Sequence, residues 1–327
     1  MKFEFSVNPN FNFLTAFAEK FKVPAFKNSL LIPASMGKGF IKYIEIEPGF
    51  KLVLHQYTLK HAFHLKRLSS AEPNDLISIV FNSNEIPTDS PNDQQNALRF
   101  LKHNGSAIQI ASSILGTETL FPQNTEVYFA VVGITRALLA SMLNIKKGNS
   151  LVQKMLNGND TFFFHENMAP DAQTILKQLS AMNELDELST QYCKIKIQEL
   201  LYSLFSKLLS RESSRQDAIN KADIDKLYTI RTAIIADVSM TPKLNVLSKM
   251  VGMSETKMKQ LFKQIFGDTI YNYYQKARME EAAFLLKQAG YSVSETGYQI
   301  GFANLSHFSR LFEKHHGITP KKYSSAG

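Results

Sequence analysis

Residues 301–323 read GFANLSHFSRLFEKHHGITPKKY. Phe302, Phe308, Leu311 and Phe312 recur three and four positions apart, the spacing that lines one face of a helix. Ser306, His307, Arg310 and Lys314 fall on the opposite face. Asn304 suits the N-cap, Gly317 a stop, and Thr319 with Pro320 the cap and first position of another short helix. The pattern predicts a helix buried along one side and presented on the other.

The same plan occurs upstream. Residues 254–267 read SETKMKQLFKQIFG, with Ser254 as cap and Met258, Leu261, Phe262, Ile265 and Phe266 as the inner stripe. A shorter helix precedes each, with Val246, Leu247 and Met250 expected inside the first and Thr241-Pro242 capping it. In the second, Val293, Thr296 and Ile300 face inward, and Ser292 with Glu295 forms a capping box. Gly252 and Gly301 sit at the turns. Two helix-turn-helix patterns thus follow one another, joined by a long helix in TIYNYYQKARMEEAAFLLKQAG, where Tyr273, Ala277, Ala282, Leu285 and Leu286 pack on both sides. One such pattern is a weak signal and two at matching spacing a strong one. Helices of this kind enter the DNA major groove, and two on one body reach successive grooves about 34 Å apart.

Charge agrees. The chain of 327 residues has a formal net charge of +8. From Lys243 onward it carries twelve Lys or Arg against six Asp or Glu, a concentration expected where phosphates are met. At 44% hydrophobic and 20% charged residues the chain is globular in character. The single cysteine, Cys193, excludes an internal disulfide framework and fits a reducing compartment. The N-terminus lacks the apolar core of a signal peptide, and no apolar run reaches the length of a membrane span, so the expectation is a cytoplasmic protein without membrane association.

The first half differs in kind. FIKYIEIEPGFKLVLHQYTL (40–59), DLISIVFN (75–82), SAIQIASSIL (106–115) and TEVYFAVVGI (125–134) read as short strands between turn residues, pointing to a small barrel or jelly roll. Two amphipathic helices follow, in 170–188 and 191–212. Ile197, Leu200, Leu201, Leu204, Phe205, Leu208 and Leu209 line the second; its stripe serves either a subunit interface, through Leu201, Leu204 and Leu208, or packing against the barrel. The expected divisions are a β-rich sensing domain (1–168), an amphipathic helical dimerisation segment (169–210), a polar linker (211–223) and a tandem helix-turn-helix domain (224–327). The fold class is α+β and multidomain.

From about Lys243 to Tyr323, the stretches MSETKMKQLFKQIFG, ARMEEAAFLL and GFANLSHFSRLFEKHHGITPKKY and the spacing between them closely resemble the arabinose-regulator (AraC/XylS) family of bacterial transcription factors. The segments ENMAPDAQTILKQL, KIKIQELLYSLFSKLL and FGDTIYNYYQKARM are most similar to its pyochelin-receptor-regulator branch. The resemblance implies an N-terminal β-barrel that senses a small molecule and often dimerises. It also implies double-stranded DNA as partner, activation of transcription and contact with RNA polymerase. The branch implies a ferric siderophore or another iron-linked signal as effector; a sugar or an apolar acid are the alternatives. Lys249 and Gly297 stand where the family has a small Ala, and Ser324 replaces the Arg that usually follows the last Tyr. Lys249 can reach solvent along its stem, whereas Gly297 weakens its helix by about 1 kcal/mol against Ala.

Carried onto this chain, the groove-facing residues are Thr256, Lys259, Gln260 and Lys263, with Lys257 beside them, and Asn304, Leu305, Ser306, Ser309 and Arg310 in the second unit. Gln suits adenine, Lys or Arg guanine, and an apolar side chain such as Leu305 the thymine methyl. His55, Tyr57 and Arg67 are expected around the effector. HQYTLKHAFH (55–64) holds three histidines without a carboxylate at ligand spacing, so pocket or surface histidines are the reading, with no metal and no cofactor. Cys193 has no neighbouring His to activate it, and no glycine loop for phosphate appears. The competing class is a small-molecule-binding or catalytic barrel whose helical tail meets another partner.

Overall fold

The computed structural model describes residues 1–8, 10–69, 75–83, 106–145, 148–157, 161–182, 187–211, 219–287 and 290–325. Two compact units divide the chain, Met1–Lys221 and Ala222–Gly327. Most of the expected linker, 212–218, lies outside the described residues, and its last three residues already belong to a helix.

Among the described residues of the first unit, ten strands form two sheets. The larger has the order β10-β7-β6-β9-β4-β3-β2 and is antiparallel throughout. Its strands are β2 (Ser29–Leu31), β3 (Gly37–Glu47), β4 (Phe50–Leu59), β6 (Leu76–Asn82), β7 (Ala107–Ser112), β9 (Glu126–Thr135) and β10 (Phe163–Asn167). The smaller joins β1 (Lys2–Phe5), β5 (Phe63–Arg67) and β8 (Thr117–Phe121), with β1 parallel to β5. The sheets are separate, so the strands do not close into the expected barrel. The turn at Pro48-Gly49 forms as read: Gly49 has φ +81°, and a side chain there would meet Thr135.

Strand alternation assigns two interiors to the larger sheet. Leu52, Leu54, Ile77, Ile79, Phe81, Ile108, Ile110, Ala130, Val132 and Ile134 pack against four helices. These are α2 (Arg136–Leu143), α3 (Ser150–Asn157), α4 (Pro170–Ser180) and α5 (Ser189–Ser210). Val53, Tyr57, Val127 and Phe129 point the other way, where Phe3, Phe63 and Phe121 of the small sheet and Phe13 and Phe17 of α1 (Phe13–Phe21) make an aromatic layer.

This packing overturns one assignment. Leu201, Leu204 and Leu208 are buried in the chain's own core together with Cys193, Ile197, Leu200 and Phe205. Leu204 is 0% exposed, so it has no surface to offer a second subunit. The wide stripe of α5 is wide because it sits on a sheet. Its opposite face carries Leu188, just before the helix, then Ile195, Tyr202 and Leu209, all exposed and seven residues apart.

The second unit is helical. It comprises α6 (Lys221–Ala236), α7 (Leu244–Val251), α8 (Glu255–Phe266), α9 (Ile270–Lys287), α10 (Val293–Gln299), α11 (Leu305–His316) and α12 (Pro320–Ser325). Helices α7–α8 and α10–α11 are the two helix-turn-helix pairs. Ser254 and Asn304 cap α8 and α11, accepting from the Lys257 and His307 backbone N–H groups, and Gly267 and Gly317 end them in left-handed geometry. The Ser292–Glu295 capping box is formed. The turn glycine 301 is obligatory: φ is +81°, and a Cβ would lie 2.1 Å from the Ser239 carbonyl oxygen.

The long α9 packs against α8, α10, α11 and α12. Arg278 fastens it: Nε and Nη2 donate to the Ile300 carbonyl at 3.0 and 2.8 Å, and the guanidinium lies 3.8 Å from the Phe302 ring centroid. His316 Nε2 contacts the Met279 carbonyl at 3.1 Å. On the other side, Arg231 of α6 donates through Nε to the Tyr273 hydroxyl at 2.6 Å.

Two details of the first pair differ from the sequence reading. Val246 and Met250 are 56% and 48% exposed; Leu247 and Val251, one turn apart, form the inner face. The N-cap of α7 is Lys243, with no side-chain hydrogen bond, rather than Thr241-Pro242. An eight-residue helix presents too few apolar positions for their spacing to select one face.

Candidate nucleic-acid interface and effector cavity

On α8, Met258, Leu261, Phe262, Ile265 and Phe266 are buried, which fixes the outward side by default. Thr256 and Lys259 are exposed, and Gln260 and Lys263 half-buried, along one stripe at i, i+3, i+4 and i+7. Ser254 anchors the start of this helix, so its first turn, the part a groove receives, is held by the cap. Lys257 lies apart from the stripe: its Nζ is 2.9 Å from a carboxylate oxygen of the largely buried Asp223 in α6. That contact aims Lys257 back toward its own unit.

On α11, Phe308 and Phe312 are buried, while Ser306 and Arg310 are exposed and Ser309 half-buried. Two residues of the expected set have structural work as well. The Asn304 Oδ1 accepts the His307 backbone N–H at 3.0 Å. Leu305 leans on α10: a Cβ built on Gly297 would lie 2.5 Å from Leu305 Cδ2 and 3.2 Å from Phe308 Cδ1. Gly297 therefore costs helix propensity but gives α11 its close seat. The thymine-methyl role expected of Leu305 competes with this packing. Arg278, counted with the basic groups of this region, is buried and holds α9 to α10. The exposed cations include Lys259, Arg310, Lys314, Lys321 and Lys322, with Lys263 half-exposed.

The first unit holds a cavity of ≈ 170 Å³ between its two sheets. His55 and Arg67 both line it. Tyr57 does not; it is buried beside them, its ring centroid 5.9 Å from that of His55. His55 stacks on Phe129 at 4.1 Å. Complete burial pushes its pKa down to about 3, so the imidazole is neutral. Arg67 comes from β5, whose alternate residues Leu65 and Arg67 face the cavity while His64 and Lys66 approach Glu118 and Glu4 outside. Lys51 and Gly133 also line the cavity and were missed in sequence. Only pairing the strands places Lys51 opposite Gly133. Among the described residues no group of three or more His, Cys, Asp or Glu could hold a metal ion, and no helix is long and apolar enough to cross a membrane.

A helix-turn-helix domain family model (HTH_18) matches residues 247–326, the segment from α7 to the end of α12. The probable transcription factor PqrA of Proteus vulgaris is 31% identical over 85 residues, which are 26% of this chain and 70% of that protein. The transcriptional activator Btr of Bacillus subtilis is 32% identical over 137 residues, 42% of this chain and 24% of Btr. This chain spans between about a quarter and about half of the length of the first four curated relatives it matches. A crystal structure of an AraC-type regulator from Chromobacterium violaceum aligns with 32% of this chain and 95% of its own, at 28% identity and a TM-score of 0.31. The assignment rests on the sequence matches and on the two capped helix pairs they cover: the chain belongs to the AraC-type helix-turn-helix transcription regulators.

Proposed function

We propose that the protein is a ligand-responsive, sequence-specific regulator of transcription, acting as an activator on double-stranded DNA in the cytoplasm. The observation that carries this reading is the pairing of two capped helices, α8 and α11, in one compact unit, each buried on one side and polar on the other. Thr256, Gln260 and Lys259 meet base edges in one groove, and Ser306, Ser309 and Arg310 in the next; Lys263, Lys314, Lys321 and Lys322 meet phosphates. The names of the relatives, activators among them, support the sign of regulation, and activation requires contact with RNA polymerase. No catalytic role is assigned to either unit.

The first unit supplies the response through its cavity. The geometry does not single out a ferric siderophore, and the effector is taken up below from the chemistry of the lining. Dimerisation is carried by the outer face of α5, where Leu188, Ile195, Tyr202 and Leu209 repeat every seven residues, the spacing of a seam between paired helices. A salt titration of DNA binding tests the regulator reading. A log–log slope of about −4, with preference for particular sequences, is expected from the four lysines placed on phosphate. Equal affinity for every sequence would remove it.

A further inference from the structure

The cavity between the sheets is lined by Phe5, Phe11, Phe13, Phe121, Phe129 and Phe163, yet Arg67 opens onto it. Arg67 is only 6% exposed. Its one placed acceptor is the Leu115 carbonyl, 2.9 Å from Nη2, a neutral group, and its Nε–H has none. Burying a guanidinium without a carboxylate is costly, and a lone charge of this kind persists where something else completes it. Burial pushes its pKa down to about 10, which still leaves it charged at neutral pH.

The rest of the lining sharpens the demand. Among the described residues no Asp or Glu lines the cavity, while a second cation, Lys51, does. Lys51 lies nearer the exposed side, with Glu45 opposite it on β3. The His55 Nδ1 is also buried without a partner. The volume of ≈ 170 Å³ is close to that of an engineered cavity of about 150 Å³ that takes benzene. Gly133 adds an independent sign of fit: it lines the cavity, and a Cβ built on it meets nothing within 4 Å.

Taking the ligand-responsive reading as given, we infer that the cavity binds a compact organic carboxylate with a flat apolar body, its carboxylate on Arg67 and its body among the phenylalanines. The planar guanidinium offers the N–H geometry a carboxylate fits, and the aromatic walls take a ring edge-on or stacked. A neutral sugar could use Asn82, Gln109 and Thr119 of the lining but would leave Arg67 without an anion.

Calorimetry on the full-length chain with benzoate, and with benzamide as its uncharged isostere, tests this. Benzoate is expected to bind at least ten times more tightly than benzamide. Arg67→Met, which replaces a buried charge with an apolar chain of similar length, is expected to stay folded and to erase that difference. Gly133→Val, which grows a side chain into the open space, is expected to weaken benzoate at least tenfold while leaving Arg67 in place. Equal binding of the two compounds, unchanged benzoate affinity in Arg67→Met, or no benzoate binding would overturn the inference. If a neutral ligand or an iron chelate instead binds and alters DNA affinity, the carboxylate assignment falls and the ligand-responsive reading stands. If benzoate binds through Arg67 with no effect on DNA affinity, the carboxylate site stands and that reading, for this ligand, falls.

Discussion

Gln260 and Lys263 lie on one stripe of α8 but differ in what they can do. Gln260, in the middle of the helix, has the amide that pairs with adenine; Lys263, a turn further along, has a point charge for phosphate. Gln260→Ala is expected to cost about 1–3 kcal/mol at the cognate site and to relax preference at one base pair. Lys263→Ala is expected to weaken all sequences alike and to reduce the salt slope by about one. Binding to a randomised library at two salt concentrations separates the two outcomes; uniform weakening by Gln260→Ala would show that this side of α8 does not read bases. A second residue-scale expectation concerns His55. Its folded-state pKa is depressed, so the unfolded chain binds the proton more readily. Its contribution to stability is complete above about pH 6.5 and is lost as pH falls toward 3, at up to about 1.4 kcal/mol per pH unit. Acid unfolding followed by circular dichroism checks this, and His55→Phe, which keeps the stack on Phe129, is expected to flatten that dependence. At this scale the sequence disclosed residue types and helical faces but not second roles. Arg278 looked like one more cation, because nothing in its neighbours announces the Ile300 carbonyl twenty-two residues away. Leu305 looked like a groove residue, because the space left by Gly297 exists only once α10 and α11 cross.

Among the elements, α5 shows how far periodicity goes. Its two apolar faces follow from two spacings in one stretch: threes and fours through Ile197, Leu201, Leu204 and Leu208, and sevens through Ile195, Tyr202 and Leu209. The sequence displays both and cannot say which meets the sheet, because that depends on β3, more than 140 residues upstream. Burial decides it. Leu204→Ala is expected to destabilise the first unit by about 2–5 kcal/mol, measurable by denaturant unfolding. Tyr202→Glu, on a side chain 74% exposed, is expected to leave stability almost unchanged and to shift sedimentation from dimer to monomer. If the wild type already sediments as a monomer at micromolar concentration, the outer seam is not an interface. The caps, by contrast, were legible in full at Ser254, Ser292 and Asn304, since a cap is a contact between residues three apart. Barrel closure was not, since it depends on which strand edges meet.

For the whole molecule, two units differ as the composition hinted: one is apolar and strand-rich with a buried cation in its cavity, the other helical and basic. We propose that α8 and α11 enter successive major grooves on one face of the same DNA. Hydroxyl-radical footprinting of the full-length protein, on a site selected from a randomised library, tests it directly. Two protected patches about one helical turn apart, 10–10.5 base pairs between centres, are expected. Gln260→Ala should weaken one patch and Arg310→Ala the other. A single patch, two patches on opposite faces of the duplex, or loss of both patches equally with either substitution would contradict it.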